Sequence, residues 1–544
     1  MPLTQTRWPY FVALVVGISA IGVLWYFVLS NPSGEAVPAS GGRYVEGVTR
    51  GPERINPLFA GANRTDGDLA SLIFSGLVRL SPDGTPQPDL AERWEITGNG
   101  QSYTFHLRRG VAWHDGEPFT SEDVLFTYHA IADPGFKGDA QLAQLMQGVV
   151  VTARDPETVE FKLEQAYAPF LAYLTTGILP KHLVGALDAN QLFNAAFNAH
   201  PVGTGPYSFV SRTDPAITLA RNPTYYLGPP KILDFEFHIF PNADALVAAL
   251  REGTVDGALL GPQAPDAELD FLRQSGGFTL HGLVGTEFNI VYFDTRSPVF
   301  ADAEVRKALW QSLDVPSLVA DVAHGRGVDA GVGIAKSSWA YPRAPSPDFD
   351  STAAASALEK AGWTRGSDAL RRKGGVQLAF TLSVPNDPDR VALANAIAEQ
   401  WRAIDVDVTV QPLAASSFVA DHLLQHKFEA ALAAIDPGPD PDPYPLWHST
   451  QIAPPGRNLS NYSDSQIDDA LERARQTSDT SRRKELYASF ATRFVAAAPA
   501  IPLYAPQSTY VQTSRVQGYA ESLLFTPASR FSNVSEWYVR TRVQ

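Results

Sequence analysis

Hydrophobic residues follow three different patterns along the chain. Over residues 8–29 they form an almost unbroken apolar run. Over residues 103–107 they alternate with polar residues, which predicts a strand with one buried face. Over residues 389–404 they recur every three or four positions, which predicts an amphipathic helix. The chain therefore combines one apolar segment with a folded α/β region.

The apolar run carries no charged residue. A helix of that length would be about 33 Å long, enough to cross a hydrocarbon core of about 30 Å. Arg7 puts positive charge on its amino-terminal side, which predicts that the rest of the chain lies outside the cytoplasm. A cleaved signal peptide is the alternative, but its apolar region spans only about 7–15 residues. We expect a retained transmembrane signal-anchor over residues 1–30, followed by a flexible linker over residues 31–42.

The segment over residues 376–435 predicts a regular β-α-β-α-β unit, in which three strands alternate with two helices. The five elements are expected at residues 376–384, 389–404, 406–410, 416–426 and 428–435. This order is typical of a parallel sheet covered on both faces. Ligands of such sheets bind beyond the carboxyl ends of the strands, and Asp436 directly follows the last strand.

Asp436 opens a loop rich in proline and aspartate. The loop also contains Asp440 and Asp442, and it ends with the aromatic residues Tyr444 and Trp447. A rigid loop with carboxylates and rings suits a pocket that stacks apolar groups and pairs a cation. A structural turn, whose aspartates cap backbone amides, is the alternative. The residues themselves leave both interpretations open.

Composition excludes several classes of protein. The 544 residues include 58 Asp and Glu, 43 Lys and Arg and no cysteine, and the net charge is −15. Without cysteine, disulfides, thiolate metal sites, cysteine nucleophiles and lipidated cysteines are impossible. The negative charge argues against nucleic acid or anionic lipid as a partner, because both are polyanions.

Motifs for catalysis or phosphate binding are absent from the sequence. It has no nucleophile elbow, no phosphate-binding P-loop and no His-Glu-x-x-His zinc pattern. The pair His114-Asp115 is the most suggestive, but Asp115-Gly116 favours a turn. We therefore expect a protein that is not an enzyme and uses no cofactor or metal. The possibility of a catalytic Ser/His/Asp triad assembled from distant residues stays open, because such triads are recognised by geometry.

Several motifs occur in a fixed order over more than 400 residues. They are Pro88-Asp-Leu-Ala-Glu-Arg-Trp, the stretch from Tyr103 to Val124 that contains Trp-His-Asp-Gly-Glu-Pro-Phe, Val202-Gly-Thr-Gly-Pro-Tyr, Arg221-Asn-Pro-Thr-Tyr-Tyr, Gly253-Thr-Val-Asp-Gly, Val305-Arg-Lys-Ala-Leu and Ile501-Pro-Leu-Tyr. From about Tyr44 onward, the chain resembles the extracellular solute-binding proteins of peptide-type ABC importers, family 5.

The resemblance implies an α/β, two-lobed, periplasmic-binding-protein-like fold of type II, known as a Venus flytrap. The first lobe is expected over residues 43–284, with an inserted subdomain over about 77–199. The second lobe is expected over residues 285–505, and residues 506–544 return to the first lobe. Most motif residues are expected to be structural, including the His114–Gly116 turn and the Gly203–Gly205 segment.

The resemblance also suggests ligand contacts. In peptide-binding members, an aspartate at the end of a second-lobe strand pairs with the α-amino group of the peptide. Asp436 resembles it in position, but the loop after it differs from that of many peptide binders. The sequence therefore also admits Asp440 or Asp442 as the pairing residue.

Four further candidates for ligand contact come from the parts of the chain that approach the cleft. They are Phe288 and Asn289 at the crossover between lobes, and Asn56 and Phe59 near the start of the first lobe.

The implied function is that of the substrate-binding component of an ABC importer. The protein would bind peptides outside the cytoplasm by lobe closure and deliver them to a membrane permease. We expect a monomer with an extracellular or periplasmic soluble part, held to the cell membrane by one helix. The alternatives are a tethered solute sensor, a binder of another solute such as a nickel chelate or an oligosaccharide, and an exported hydrolase built on this fold.

Overall fold

The computed structural model describes residues 36–344 and 346–543, together with residues 13, 16, 17 and 19. The predicted membrane anchor thus lies, apart from those four positions, outside the described residues. Among the residues that are described, no helix is both long and apolar enough to cross a membrane.

Twenty-four strands lie within the described part of the chain. In order they are β1 (Ala36–Ala39), β2 (Arg43–Val48), β3 (Val78–Leu80), β4 (Pro86–Pro88), β5 (Ala91–Thr97), β6 (Ser102–Leu107), β7 (Val149–Asp155), β8 (Thr158–Leu163), β9 (Tyr207–Thr213), β10 (Ala216–Arg221), β11 (Asp234–Ile239), β12 (Gly257–Leu260), β13 (Phe278–Val284), β14 (Phe288–Phe293), β15 (Gly327–Asp329), β16 (Thr364–Arg365), β17 (Arg371–Lys373), β18 (Val376–Gln377), β19 (Ala379–Pro385), β20 (Asp407–Leu413), β21 (Ala430–Ile435), β22 (Ala500–Pro502), β23 (Tyr504–Thr513) and β24 (Arg540–Val543).

The α-helices between residues 36 and 543 vary from one turn to five turns in length. They are α1 (Arg64–Ile73), α2 (Ser121–Ala132), α3 (Ala140–Gln147), α4 (Lys181–Val184), α5 (Ala189–Leu192), α6 (Ala243–Arg251), α7 (Asp266–Gln274), α8 (Ala303–Gln311), α9 (Val315–Val322), α10 (Ser351–Lys360), α11 (Pro388–Arg402), α12 (Ala415–Ser417), α13 (Tyr444–Trp447), α14 (Ser465–Gln476) and α15 (Thr480–Ala497). Short 3-10 helices lie at Ala60–Ala62, Gly98–Gly100, Ala168–Thr175, Ala196–Ala199, Ser449–Gln451, Pro527–Phe531 and Val534–Glu536.

The first large sheet takes five of its eight strands, β9 to β13, from residues 207–284, together with β2 and β23 from nearer the two ends of the folded region. Its strand order is β13-β23-β12-β2-β11-β10-β9, and β15 also pairs with β23. Strand β2 runs parallel to β11 and β12, whereas the other pairs are antiparallel. Its two faces pack against separate apolar clusters, one of which contains Tyr44 and the other Val45.

The second large sheet has the order β20-β19-β21-β14-β22. Strand β19 runs parallel to β20 and β21, which confirms the parallel unit predicted over residues 376–435. Strand β14 pairs antiparallel with β21, and β22 pairs antiparallel with β14. Strand β21 is almost entirely buried, because apolar side chains cover both of its faces.

The inserted region carries a third sheet with the order β5-β6-β8-β7. Tyr103, Phe105 and Leu107 point into the core, as the alternating pattern predicts. The predicted capping box at the start of α2 is also present, since Thr120 and Asp123 cap each other's backbone N–H groups.

Apart from the short strand β15, which pairs with β23 beside the second passage, the chain passes between the two large sheets twice. The first passage is residues 285–287, between β13 and β14, and the second is Leu503, between β22 and β23. Two large apolar cores lie on either side, one built from residues 288–505 and the other from residues 44–283 and 510–537. The two-lobed architecture follows from these separate cores, while the domain boundaries stay predictions.

Three local predictions differ from the structure. Strand β1 lies inside the range expected to be a flexible linker, because it pairs antiparallel with β24 at the other end of the chain. The helix expected over residues 416–426 is α12 followed by a π-helix over Phe418–Leu423. The spacing of Ser463 and Gln466 predicts a capping box, but the helix cap is Asp464, whose carboxylate accepts from two backbone N–H groups.

Candidate ligand-binding site

Asp436 lies at the carboxyl end of β21, at the edge of the second sheet that faces the first passage. Its side chain is exposed. Its Oδ1 accepts hydrogen bonds from Thr286 Oγ1 at 2.8 Å and from the backbone N–H of Gly438 at 2.9 Å. Gly438 has a φ of 92°, a conformation that favours glycine. The loop therefore holds the Asp436 carboxylate in one orientation, and no ion pair to it occurs among the described residues.

Phe288 and Asn289 begin β14, beside the end of β21. Phe288 pairs with Ile435 in the sheet and is 3% exposed. Asn289 points to the opposite face, where its Oδ1 accepts from Arg390 Nη1 at 2.8 Å and its Nδ2 donates to the Tyr504 carbonyl at 3.4 Å. The amide of Asn289 is thus occupied by protein partners, whereas the ring of Phe288 faces a pocket.

That pocket has a volume of about 150 Å³ and lies at the first passage between the sheets. We call it the hinge pocket. Its apolar wall consists of Val284, Phe288, Val328, Ala330 and Ala505, with Gly285, Gly333 and Ala335 between them. Four strands therefore contribute to it, since these residues lie in or beside β13, β14, β15 and β23.

The rim of the hinge pocket is polar. It is formed by Thr286, which also binds Asp436, and by Asp329, Lys336 and Ser337. Lys336 Nζ lies 2.9 Å from the Asp329 carboxylate. The hydrogen bond to Asp329 raises the pKa of Lys336 above its usual value. Lys336 thus stays charged, and its charge is paired.

Asp440 belongs to a buried ion pair. Its two carboxylate oxygens accept from Arg483 Nη1 at 2.9 Å and Nη2 at 2.5 Å, and both side chains are nearly inaccessible to solvent. Arg483 also donates to the Tyr487 hydroxyl at 2.7 Å. Burial lowers the pKa of Arg483, but the Asp440 charge, the Tyr487 hydroxyl and the hydrogen bond to Asp440 together raise it above its usual value. This bidentate geometry joins the loop to α15.

Asp442 makes a similar connection to α14. Its Oδ2 accepts from Arg475 Nε at 2.7 Å, and its Oδ1 accepts from the Tyr444 backbone N–H at 3.1 Å. The Arg475 guanidinium lies 3.8 Å from the centre of the Tyr444 ring, which stacks on His448 at 4.1 Å. On its other side, Arg475 lies 5.2 Å from the ring of Tyr167 in the inserted region. This part of the loop therefore connects the two lobes.

Trp447 is 2% exposed and lies in the second core. Its ring centre is 4.7 Å from that of Phe494 and 5.9 Å from that of Tyr292. The position of Trp447 after a polar loop suggested an exposed ring, but α13 turns it inward.

Asn56 and Phe59 lie in the first core and do not line the hinge pocket. Asn56 Nδ2 donates to Asn198 Oδ1 at 2.9 Å, and its Oδ1 accepts from the Leu58 backbone N–H at 3.0 Å. Phe59 packs against Phe193, with ring centres 5.2 Å apart. In this conformation, both side chains are satisfied by the protein itself.

Four of the sequence motifs contact one another in two pairs, and no motif residue lines the hinge pocket. His114 Nε2 lies 3.0 Å from the Gly205 carbonyl, and the Gly203 backbone N–H donates to His114 Nδ1 at 3.2 Å. The Tyr226 hydroxyl binds the carboxylate of Asp89, which joins two further motifs. Burial raises the pKa of Asp89 to about 6. These residues form the scaffold, as the sequence predicts.

The sequence did not reveal Arg475, Arg483, Lys336 or Asp329. Arg475 and Arg483 reach their aspartates from 33 and 43 residues away. The local sequence around a charged helix residue does not show whether its side chain pairs with a buried carboxylate or lies in solvent. Within the described ranges, no group of three or more His, Asp or Glu residues is arranged to hold a metal ion.

Comparison with known proteins agrees with this architecture. The family model "Bacterial extracellular solute-binding proteins, family 5 Middle" matches residues 85–454. Protein XP55 of Streptomyces lividans is 30% identical over 456 residues, covering 83% of this chain and 81% of that protein. The oligopeptide-binding protein AppA of Bacillus subtilis is 26% identical over 514 residues, covering 92% of each.

Two solved structures extend the comparison. AppA of Bacillus subtilis in complex with a nonapeptide has a TM-score of 0.66 at 25% identity, covering 93% of this chain and 100% of that one. NikZ of Campylobacter jejuni in complex with Ni(L-His) has a TM-score of 0.66 at 27% identity, covering 91% and 99%. Because the family model matches more than half of the 544 residues, the chain belongs to the bacterial extracellular solute-binding proteins of family 5.

Proposed function

We propose that this protein is the substrate-binding component of an ABC importer, and that it binds peptides through their α-ammonium group at Asp436. The observation that carries the proposal is the state of the three loop aspartates. Asp440 and Asp442 are paired with arginines, whereas Asp436 is exposed, oriented, and without an ion pair among the described residues. A ligand ammonium can supply the missing counter-charge.

Lobe closure makes this arrangement selective. A carboxylate that loses water when the lobes close needs a cationic partner, because an unpaired buried charge is strongly unfavourable. The ligand contacts both lobes and shifts the population toward the closed state. The closed protein then docks on a membrane permease and releases its cargo, with no covalent chemistry.

The other predicted site residues take different positions in this proposal. Phe288 contacts the ligand directly. Asp440, Asp442 and Tyr444 form a fixed wall at the far end of the loop, while Trp447 and Asn289 support that wall and β14 from behind.

Asn56 and Phe59 are proposed to support the first-lobe wall of the cleft from within the first core, where both are buried. In this proposal the first lobe consists of residues 43–284 and 506–544, and the second lobe consists of residues 285–505.

Calorimetry on the full-length chain tests the ligand class. Tripeptides with a free amino terminus should bind, and their N-acetylated forms should bind at least tenfold more weakly. Asp436→Asn should weaken the free peptides by about 2–5 kcal/mol, the range for removing one partner of a desolvated charge pair. Asp469→Asn, an exposed helix position, is the matched control and should leave affinity unchanged.

Two results would contradict this proposal. If no peptide binds while Ni(L-His) or an oligosaccharide does, the peptide class is wrong. If Asp436→Asn binds free peptides as tightly as Asp469→Asn does, and both variants still bind the acetylated forms more weakly, the ammonium contacts another residue.

We also propose that residues 8–29 anchor the protein as a retained transmembrane helix, with the soluble part outside the cytoplasm. The support is the uncharged apolar run itself and the absence of any cysteine for lipid attachment. Intact mass spectrometry of the protein extracted from carbonate-washed membranes should give the mass of the uncleaved chain. A mature protein that begins after residue 30 and washes off would disprove the anchor.

A further inference from the structure

Backbone pairing between strands fixes the position of part of the wall of the hinge pocket. Val328 in β15 pairs with Ala505 in β23, and Phe288 in β14 pairs with Ile435 in β21. Gly285 forms a bridge with Leu524. The strand residues of the wall are therefore held by backbone hydrogen bonds, whereas Ala330, Gly333 and Ala335 lie in the non-strand segment after β15.

The size of the pocket depends on the packing of Phe288 against Gly333. Gly333 has a φ of 84°, and a Cβ placed there would lie 2.7 Å from Phe288 Cζ. The ring therefore lies directly against the glycine, which limits the depth of the pocket. Apolar protein cavities of about 150 Å³ admit a guest about as large as benzene. The hinge pocket has that volume, so one aliphatic side chain fits and an indole does not.

The interior of the pocket offers no unpaired charge. Asp329 accepts from the Gly331 backbone N–H at 3.0 Å and from Ser346 Oγ at 3.3 Å, in addition to its ion pair with Lys336. A charged ligand side chain in the pocket would lose hydration without gaining a counter-charge. An aliphatic side chain would bury apolar surface against Val328, Ala330 and Phe288.

The hinge pocket lies next to Asp436. Thr286 lines the rim and also donates to the Asp436 carboxylate. A group bound at that carboxylate therefore lies within one residue of the pocket opening. In a peptide, the side chain nearest the α-ammonium is that of the first residue.

We propose that the hinge pocket receives the first side chain of the ligand and selects aliphatic side chains up to the size of leucine. This inference rests on the proposed binding of peptides at Asp436. It makes Phe288, Ala335 and Gly333 specificity-determining residues, and it adds selection by side chain to recognition of the ammonium.

Calorimetry on the full-length chain with the peptides X-Ala-Ala tests the inference, where X is Leu, Val, Gly, Asp, Lys or Trp. Leu and Val should bind about tenfold or more tightly than the other four, since a missing methylene in an apolar pocket alone changes affinity about 10-fold or more. Ala335→Leu places a side chain in the pocket and should remove that preference. Ala496→Leu makes the same change on an exposed helix position and should keep it.

The binding of Gly-Ala-Ala is the control for correct folding and for an intact ammonium site, because this peptide has no side chain to place in the hinge pocket. Ala335→Leu should leave the affinity for Gly-Ala-Ala within about twofold, which shows that the variant is folded and that the ammonium site is intact. If all six peptides bind with equal affinity to the wild type, the inference is wrong while peptide binding stands. If none of the six binds, the proposed function fails and the inference fails with it.

Discussion

The beginning and the end of the proline- and aspartate-rich loop use the same residue type in opposite ways. At the end, Asp440 and Asp442 are buried and bound to arginines of α14 and α15. At the beginning, Asp436 is exposed and, within the described part of the chain, accepts hydrogen bonds only from a hydroxyl and a backbone N–H. The difference shows that an aspartate of this loop is buried where a guanidinium reaches it, and stays exposed where none does among the described residues.

The strongest test of this contrast removes the guanidinium from the buried pair. Arg483→Ala should destabilise the protein by about 3–5 kcal/mol, because it leaves Asp440 buried and unpaired. Chemical denaturation gives the free energy of unfolding. Arg482→Ala, on the exposed face of the same helix, should change it by less than about 0.5 kcal/mol. Equal effects of the two variants would contradict the structural role of Asp440.

Asp89 sharpens the comparison, because it is a buried carboxylate whose side chain binds a tyrosine hydroxyl instead of a guanidinium. Burial raises its pKa from 3.8 to about 6. Between pH 4 and 6 the folded protein therefore holds a proton that the unfolded chain has lost. The contribution of Asp89 to stability is highest below pH 4 and falls as the pH rises to 6, by roughly 3 kcal/mol in total.

The measurement is the free energy of unfolding of the wild type and of Asp89→Asn at pH 4 and pH 7. Between these two pH values, the wild type should lose roughly 3 kcal/mol more than the variant. Other titrating groups are common to both proteins and cancel in that difference. Identical pH dependence would show that Asp89 is ionised in the folded state.

A smaller effect is expected at the stack on the end of the loop. Tyr444→Leu removes the ring between His448 and Arg475 and should cost about 1 kcal/mol of stability. Tyr444→Phe keeps the ring and loses only the contact of the hydroxyl with Thr450, so its effect should stay below about 0.5 kcal/mol. Chemical denaturation of both variants shows whether the ring or the hydroxyl of Tyr444 contributes the stability.

The smallest effect on stability is expected at the beginning of the loop. Asp436→Asn keeps an oxygen for Thr286 and Gly438, and should change the free energy of unfolding by less than about 0.5 kcal/mol. Its effect on ligand affinity should be far larger than its effect on stability. A destabilisation as large as that of Arg483→Ala would place Asp436 among the structural aspartates.

Much of the fold follows from local patterns. The apolar periodicity over residues 376–435 predicts the strands β19, β20 and β21 and the helix α11 within a few residues. The pairing of β1 with β24 was not predictable, because its partner lies about 500 residues away. The burial of Trp447 was also missed, because a loop rich in proline gives no sign that α13 turns the ring into the second core.

The sequence by itself placed an α/β unit at residues 376–435 with Asp436 after its last strand, because hydrophobic periodicity is a local property of the chain. The two-lobed fold was implied by the resemblance of the ordered motifs to a known family. Only the tertiary structure decided which of the three aspartates stays exposed and without an ion pair among the described residues. That choice depends on where Arg475 and Arg483 lie once α14 and α15 pack against the loop. The hinge pocket also arises only from folding, since its walls come from four strands that are far apart in the chain.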